Sequence, residues 1–168
     1  VIGATMVIWD PSLPVPAGIY QKNACLSPEK EDLSEIEKLA EKIGIEFLKV
    51  DCRRQYRETV LDNFRSEYAC GRTPNPCVLC NSLIKFGVLP AAAHAQGVSF
   101  DKFATGHYAR VEQDPASGKY LLKKAKDLSR DQSYFLHRLT QEQLSKVLFP
   151  LGEMTKPEIR DIARQAGL

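Results

Sequence analysis

Residues 27–50, SPEKEDLSEIEKLAEKIGIEFLKV, decide the fold class because they place a capped helix directly before a short apolar strand. Ser27-Pro28 matches an N-cap followed by the first helical position, and Gly44 matches a helix stop. Between these two signals, apolar residues recur at helical spacing. The run from Ile45 to Val50 is then typical of a short strand. We therefore predict a helix that ends at Gly44 and a strand that begins beside it.

A second strand is predicted at the start of the chain, where residues 1–9, VIGATMVIW, have the pattern of a buried strand. Pro11 to Gly18 is too rich in proline for a helix or a central strand, so we expect a loop there. The order strand, helix, strand predicts a parallel pair joined by a crossover helix. Alternation of strands and helices along the rest of the chain predicts an α/β domain, which binds ligands at the carboxyl ends of its strands.

The middle of the chain contains two predicted helices separated by a loop. The first runs from about Arg57 to Tyr68 and ends at Gly71. Its apolar face is formed by Val60, Leu61, Phe64 and Tyr68. Thr73 to Cys80 is predicted as loop because each of its two prolines disfavours helical backbone in the residue before it. The second helix runs from about Asn81 to Gln96, and Pro90 inside it predicts a kink or a break.

The last third of the chain combines short strands with helices. Residues 103–105 predict a strand, and residues 108–112 and 119–123 predict the two strands of a hairpin around the turn sequence Asp-Pro-Ala-Ser-Gly. Two helices are expected after the hairpin. Thr155, with Glu158 three positions later, predicts a capping box at the start of the last one.

Composition and charge place few limits on function. A chain of 168 residues is long enough for one domain with a hydrophobic core and for part of a second. The formal net charge of +2 neither requires nor excludes nucleic acid, because basic residues such as Arg72 and Lys85 bind phosphates only where several share one face. No apolar run approaches the ~20 residues that cross a bilayer, and no basic leader opens the chain. Five cysteines, an odd number, argue against a secreted disulfide framework, so we predict a cytoplasmic protein.

Cys77 and Cys80 form a C-x-x-C pair at the predicted start of a helix. Exposed amides and the helix dipole at such a position lower a thiol's pKa and favour the thiolate, which is a better nucleophile and metal ligand than the thiol. Two structural alternatives stay open: half of a zinc site, although no second C-x-x-C or histidine pair supplies the other ligands, and a thioredoxin-like redox pair. From spacing alone, the catalytic or metal-binding role and the structural role are equally supported.

The other candidate residues carry weaker signals. Cys25, Cys52 and Cys70 are scattered, and we expect each to be a buried, inert thiol, with Cys70 a candidate third ligand of a cluster. His107 follows a predicted strand, where an α/β domain places functional groups, although a single histidine is more often structural. Asp131-Gln132-Ser133 is compatible with a simple turn.

Six segments occur together in a fixed order. They are GRTPNPCVLCN at 71–81, IKFG at 84–87, ATGHYAR at 104–110, DQSYFL at 131–136, FPLG at 149–152 and KPEIR at 156–160. In this order and spacing the chain resembles the tRNA 2-thiouridylases (the MnmA/TrmU family), and the similarity covers essentially its whole length. Ordered matches of this length are far more specific than a lone short motif.

The resemblance implies a fold and a reaction. The fold is an adenine-nucleotide alpha-hydrolase-like domain with a parallel sheet, also called a pyrophosphatase-loop ATPase, incomplete and joined to a small hairpin and a helical C-terminal piece. Residues 1–139 would belong to this domain, and residues 140–168 to the start of a central helical tRNA-binding domain. With Mg²⁺, ATP adenylates the C2 oxygen of the wobble uridine, a sulfur species attacks C2, and AMP leaves. The implied partners are the anticodon stem-loop of tRNA and a persulfide sulfur donor protein.

The resemblance also implies roles for residues at matching positions. Cys80 corresponds to the first catalytic cysteine. The residues that approach the target base are Asn75, Pro76 and Cys77. The ATP-contacting positions are those of Met6 and Gly106, and the tRNA-contacting positions are those of His107, Arg130, Asp131 and Gln132. A pocket of polar and stacking groups agrees with the way other enzymes read flipped, single-stranded bases.

Two features of the family are absent from the sequence. The phosphate-binding run Ser-Gly-Gly-x-Asp-Ser does not occur, because Val1 to Asp10 resembles the segment that follows it. The second catalytic cysteine, which would carry the persulfide, is also absent. The resemblance further implies a disulfide bond. We therefore expect a piece of a longer protein, cut at both ends, that binds ATP poorly and is catalytically incompetent alone.

The alternative is a non-catalytic tRNA- or iron–sulfur-binding module derived from this family. Cys77 and Cys80 would then supply two ligands of a cluster that usually needs three or four. Another pyrophosphatase-loop enzyme, such as a thiocytidine synthetase, is disfavoured by the Asn-Pro-Cys loop and the Gly-His-Tyr-Ala-Arg motif. A bare zinc-binding domain ranks last.

Overall fold

Strand β1 (Ile2–Val7) and strand β2 (Glu46–Asp51) pair in parallel along their whole length. They are part of a computed structural model of the protein that describes residues 1–10, 12 and 33–168. The parallel pair confirms the prediction made from the order strand, helix, strand. The predicted N-cap at Ser27-Pro28, almost all of the loop from Pro11 to Gly18, and Cys25 lie outside the described residues.

The crossover helix between these strands is described from Ser34 to Ile43. It ends at Gly44, whose φ of 71° lies in the left-handed region that glycine adopts without strain. The N–H of Gly44 donates to the carbonyl of Glu41, and the N–H of Ile45 donates to that of Ala40, both at 3.0 Å. The helix stop predicted at Gly44 is therefore confirmed.

Strand β1 is less buried than its apolar sequence predicts. Ile2 is 39% exposed, and full burial is reached only beyond the strand, at Ile8 and Trp9. Among the described residues, β1 forms ladder hydrogen bonds along one edge, to β2. The prediction of a buried strand is wrong for its first half, because the other edge borders an open cleft.

The first predicted helix of the middle region occupies residues 53–69 and begins four residues earlier than expected. An α-helical turn, a π-helical segment and an α-helix follow one another at Arg53–Tyr56, Arg57–Leu61 and Asp62–Ala69. Val60 is buried, but Phe64 and Tyr68 are 37% and 57% exposed, so the predicted apolar face is wrong at its C-terminal end. These two rings pack on each other, edge to face, at 4.9 Å. Gly71, with a φ of 72°, follows the helix as predicted.

Residues Pro76–Ala95 form one continuous helical span, which we call the cysteine helix. Its α-helical ends are Pro76–Leu79 and Leu89–Ala95. The predicted loop as far as Cys80 is wrong, since the backbone is non-helical only up to Asn75. Proline is tolerated at the first helical position because the N–H that it lacks has no intrahelical partner there. Cys77 and Cys80 consequently lie within the first turns of the helix.

The centre of the cysteine helix, Cys80–Val88, is π-helical. Pro90 has no N–H and cannot donate to the carbonyl of Phe86, four residues before it. That carbonyl instead accepts a hydrogen bond from the side-chain Nε2 of Gln143 at 3.0 Å, and the same nitrogen donates to the carbonyl of Ser82 at 2.8 Å. The predicted break at Pro90 is therefore wrong, because the helix continues through it. Two carbonyls of the π-helical segment, those of Ser82 and Phe86, are paired from outside the helix.

The cysteine helix is also long and apolar enough to cross a membrane, by length and composition only. The prediction that no segment approaches this length is therefore wrong for residues 76–95. Such a helix is a weak indication of a membrane span, since core helices pass the same test. Ile84 is fully buried and Leu89 nearly so, and the polar Asn81 and Ser82 are buried beside them. Of the most apolar 18-residue window of this helix, 39% is buried inside the protein.

Two more strand pairs complete the β structure. Strand β3 (Phe103–Ala104) pairs in parallel with β6 (Val147–Leu148), and the predicted hairpin is confirmed as the antiparallel pair β4 (Ala109–Gln113) and β5 (Tyr120–Lys124). The remaining elements are two 3-10 segments and two helices, at Leu128–Arg130, Ser133–Leu136, Gln141–Lys146 and Lys156–Gln165. The predicted capping box of the last helix is present, with the N–H of Thr155 donating to Glu158 Oε2 at 2.6 Å.

Two hydrophobic clusters hold these elements together. The first cluster consists of Ile8, Val50, Cys52, Tyr56, Val60, Ile84 and Leu89. The second cluster consists of Phe86, Ala109, Leu136, Leu139, Leu144 and Val147. The described helices and parallel strands agree with the predicted α/β class. The domain boundary predicted between residues 139 and 140 stays a prediction, and Leu144 and Val147 place the residues just beyond it on the second cluster.

Candidate active site

A cleft of about 1150 Å³ lies between β1 and β3. Four residues with predicted roles line it, namely Met6, Gly106, His107 and Gln132. Lys85 of the cysteine helix lines it as well. Asp131 and the exposed Arg130 are not among its lining residues. The cleft therefore brings together both predicted ATP-contacting positions and two of the predicted tRNA-contacting positions.

Gly106 is exposed on the wall of the cleft. A Cβ atom at this position would meet Leu151 Cδ1 at 3.6 Å, which is an ordinary van der Waals contact. Its φ is not among the positive values that would require glycine. The backbone fold therefore tolerates a side chain at position 106, and the glycine leaves the cleft wall accessible to a ligand.

His107 is a half-buried residue on the same wall. Its Nδ1 lies 2.7 Å from Thr105 Oγ1, and its ring packs against those of Phe86 and Phe149 with centroid distances of 5.7 and 6.0 Å. Burial, together with the positive charge of Lys85, lowers the pKa of His107 to about 4. The imidazole is therefore neutral at pH 7. It can offer a bound base a hydrogen bond or ring stacking, but no positive charge.

Gln132 and Asp131 fix the segment that follows the hairpin. The side-chain Oε1 of Gln132 accepts from the N–H of Tyr108 at 2.9 Å, and the N–H of Gln132 donates to the carbonyl of Tyr108 at 2.8 Å. Asp131 accepts from the N–H of Ala125 at 2.8 Å and from the hydroxyl of Ser133 at 2.7 Å. Burial opposes the charge of Asp131, but these hydrogen bonds outweigh it and lower the pKa of its carboxyl group. A tRNA contact of this carboxylate stays a prediction, because the fold already uses both of its oxygens.

The cysteine pair lies outside the lining of the cleft. Asn75 and Cys77 are exposed at the N-terminus of the cysteine helix, and Pro76 is its first residue. Cys80, one turn later, is half-buried and packs against the first cluster. The structure therefore divides the predicted site residues into a group around the cleft and a group at the N-terminus of the cysteine helix. Both groups involve the cysteine helix, since Lys85 in the cleft follows Cys80 by five positions.

Asn81 is a buried polar residue that the sequence pattern did not single out. Its side-chain Nδ2 donates to the carbonyl of Phe135 at 3.2 Å. This hydrogen bond ties the helix position after Cys80 to the 3-10 segment Ser133–Leu136, which directly follows Gln132. In the sequence, Asn81 is recognisable only as an amide side chain within a largely apolar helix. That feature does not identify its hydrogen-bond partner, which lies 54 residues away.

The thiols form no complete metal site within residues 1–10, 12 and 33–168. In that part of the chain, no group of three or more His, Cys, Asp or Glu side chains could hold a metal ion. Cys52 is fully buried, and burial together with the charges of Asp51 and Cys80 raises its pKa to about 11, which confirms the predicted inert thiol. Cys70 is exposed at the end of helix 53–69, so the prediction that it is buried is wrong.

Comparison with known proteins gives consistent matches over the full chain. The family model described as the tRNA methyl transferase HUP domain matches residues 1–168. The chain is 51% identical over 168 residues to the tRNA-specific 2-thiouridylase MnmA of Endomicrobium trichonymphae, covering 100% of the chain and 46% of that protein. It is 45% identical over 170 residues to the protein of the same name from Treponema denticola, covering 100% of the chain and 43% of that relative. The chain thus spans less than half the length of these curated relatives.

Proposed function

Because the chain belongs to the family of tRNA methyl transferase HUP domains, we propose that it forms the nucleotide-binding and thiol-bearing part of a longer tRNA 2-thiouridylase. One observation carries this proposal. The cysteine helix presents a pair of thiols at its N-terminus and, with Lys85, lines a nucleotide-sized cleft. A sulfur nucleophile and a nucleotide site on one helix are what an ATP-dependent sulfur transfer requires.

The thiol pair favours sulfur transfer over methyl transfer. The family description mentions methyl transfer, whereas the curated relatives are named as 2-thiouridylases. Cys77 and Cys80 lie in the first turns of the cysteine helix. A thiolate is the form of cysteine that attacks an activated carbon or carries sulfur to it. Cys80 is the proposed catalytic thiol.

The cleft between β1 and β3 is the proposed ATP site. Its volume of about 1150 Å³ is large enough for a nucleotide, since small-molecule sites span roughly 300–1,000 Å³. Met6 and Gly106 are the proposed contacts to ATP, and Asp101 adds a carboxylate to the lining. Mg²⁺ keeps most of its ligands from phosphates and water, so one carboxylate is compatible with it.

In the proposed reaction, the C2 oxygen of the wobble uridine first becomes bonded to the α-phosphorus of ATP, and pyrophosphate leaves. The C2 oxygen is then part of a good leaving group. A sulfur species attacks C2, the bond from C2 to oxygen breaks, and AMP departs with the bonding electrons. The attacking atom is the outer sulfur of a persulfide supplied by a donor protein, which leaves C2 joined to a disulfide. The thiolate of Cys80 is proposed to attack the inner sulfur of that disulfide, so the S–S bond breaks, the outer sulfur stays on C2 as 2-thiouridine, and Cys80 ends in a disulfide.

The residues proposed to contact tRNA lie at the N-terminus of the cysteine helix and in or beside the cleft. Asn75, Pro76 and Cys77 stand at the N-terminus of the cysteine helix and are proposed to approach the target base. The neutral ring of His107 and the amide of Gln132 offer stacking and hydrogen bonds, which read an unstacked base. The exposed Arg130 suits a backbone phosphate, and Asp131 supports the segment that carries it. We propose that the anticodon stem-loop binds here and that the protein acts in the reducing cytoplasm.

The test is ATP-dependent thiolation of unmodified tRNA by the full-length protein, with modified nucleosides identified by mass spectrometry. Cys80→Ser is expected to abolish 2-thiouridine. The matched control is Cys70→Ser, which removes an exposed thiol at the end of helix 53–69 and is expected to leave the product yield unchanged. The proposal fails if wild-type protein methylates uridine without thiolating it, or if Cys80→Ser thiolates at the wild-type rate.

A further inference from the structure

We propose that Lys85 binds a phosphate group in the cleft between β1 and β3. The inference rests on the proposed function, and it adds a specific anion-binding residue to the cleft. Phosphate at this position can come from a bound nucleotide or from the tRNA backbone, and the two sources share the same recognition chemistry.

Lys85 is a half-buried cation that lacks an anionic partner in the part of the chain that the structure describes. No ion pair and no hydrogen bond there involves its ammonium group. The lysine at position 102, which also lines the cleft, donates to the carbonyl of Ser145 at 2.6 Å. Partly burying a cation without a partner is unfavourable, so a negatively charged ligand would stabilise Lys85.

The groups around Lys85 do not cancel its charge. His107 faces the same cleft and is neutral at pH 7. Asp101, which brings a carboxylate to the lining, is exposed. Thr5 also lines the cleft, and a threonine hydroxyl is able to donate to a phosphate oxygen. An ammonium group without a hydrogen-bond partner, with a hydroxyl donor nearby, is an arrangement that recognises phosphate.

The π-helical segment places Lys85 close to the catalytic thiol along the helix. Cys80 is the first residue of this segment, and Lys85 is the fifth residue after it. Backbone hydrogen bonds in a π-helix join residues five positions apart, so these two residues lie nearer to one face than they would in an α-helix. Lys85 lines the cleft and Cys80 does not, so a phosphate held by Lys85 would be bound by the same helix as the thiol, five positions along it.

The experiment measures binding of ATP, adenosine and tRNA to full-length protein by titration calorimetry. Lys85→Gln is compared with wild type, and Lys102→Gln serves as a control that removes a lysine from the same cleft. We expect Lys85→Gln to weaken ATP binding by about tenfold, as loss of one charge-assisted hydrogen bond does, and to leave adenosine binding unchanged. Lys85→Arg, which keeps the charge, is expected to recover most of the affinity. The control is expected to stay within about twofold of wild type.

Each outcome has a separate meaning. Weakened ATP binding with unchanged adenosine binding supports a nucleotide phosphate as the ligand of Lys85. Weakened tRNA binding with unchanged ATP binding supports a backbone phosphate. If wild type binds ATP and tRNA and Lys85→Gln binds both equally well, the inference is overturned while the proposed function stands. If wild-type protein neither binds ATP nor thiolates tRNA, the proposed function fails instead.

Discussion

Replacing Gln143 tests how the cysteine helix accommodates a proline. The side-chain Nε2 of Gln143 donates to the carbonyls of Phe86 and Ser82 at 3.0 and 2.8 Å, and its Oε1 accepts from the N–H of Thr140 at 3.0 Å. Gln143→Ala leaves two partly buried carbonyls and one helix-start N–H without these partners. Each partly buried polar group that loses its partner costs about 1 kcal/mol, so we expect about 2–4 kcal/mol of destabilisation in total.

The physical reason is tested by a double-mutant cycle with Pro90→Ala. An alanine at position 90 regains an N–H, which can donate to the carbonyl of Phe86. Gln143→Ala is therefore expected to destabilise the Pro90→Ala protein less than it destabilises wild type, with a coupling of about 1 kcal/mol. The free energy of unfolding is measured for all four proteins by urea titration, followed by circular dichroism.

Gln141 supplies the matched control. It lies on the same helix and exchanges two hydrogen bonds with the backbone of Tyr120, at 2.8 and 2.9 Å, away from Pro90. Gln141→Ala and Pro90→Ala should therefore add without coupling. If Gln143→Ala and Pro90→Ala are additive to within about 0.3 kcal/mol as well, the account of the π-helical segment is refuted.

Three further outcomes follow from the same contacts. NMR titration should give His107 a pKa near the value of about 4 that burial and Lys85 impose, and Lys85→Gln should raise it. Unfolding restores the pKa of this histidine to its ordinary value of 6.5, so the unfolded chain takes up a proton before the folded one as the pH falls. The free energy of unfolding should therefore decrease as the pH drops from 6.5 towards 4. A urea midpoint that stays constant across that window would contradict this. Gly152→Ala should destabilise the protein by about 3 kcal/mol or more, because the new Cβ would lie 1.9 Å from the carbonyl oxygen of Ala109. Gly106→Ala, whose Cβ would make only an ordinary contact, should change stability by no more than about 0.5 kcal/mol. Equal urea midpoints for the two variants would count against the packing described. Iodoacetamide at pH 7.5 should label the exposed cysteines and spare Cys52, which is fully buried with a pKa of about 11, and mass spectrometry of the labelled peptides checks this.

Local signals in the sequence predicted local structure well. Gly44 ends the crossover helix, Thr155 and Glu158 form their capping box, and the Asp114 turn joins the hairpin strands. Each of these features is decided by residues a few positions apart. The start of the cysteine helix was placed too late because Pro76 restricts the residue before it but suits the first helical position itself.

Contacts between distant segments were not predictable in this way. Sequence spacing placed Lys85 among scattered surface charges. Its position in the cleft depends on how the cysteine helix packs against β2 and against Phe103 of β3. Gln143 meets a carbonyl 57 residues earlier, a partner that no local pattern indicates. Cys80 was identified by resemblance, whereas its half-burial against the first cluster comes from tertiary packing.

The cysteine helix supplies side chains to both hydrophobic clusters, with Ile84 and Leu89 in the first and Phe86 in the second. Neither cluster can open without displacing a helix that the other one holds. The hydrogen-bonded amides in the buried centre of this helix should therefore exchange with solvent only when both clusters open. A ligand that stabilises the cleft should slow exchange in the hairpin as well, since Ala109 of the hairpin packs with Phe86 of the cysteine helix in the second cluster.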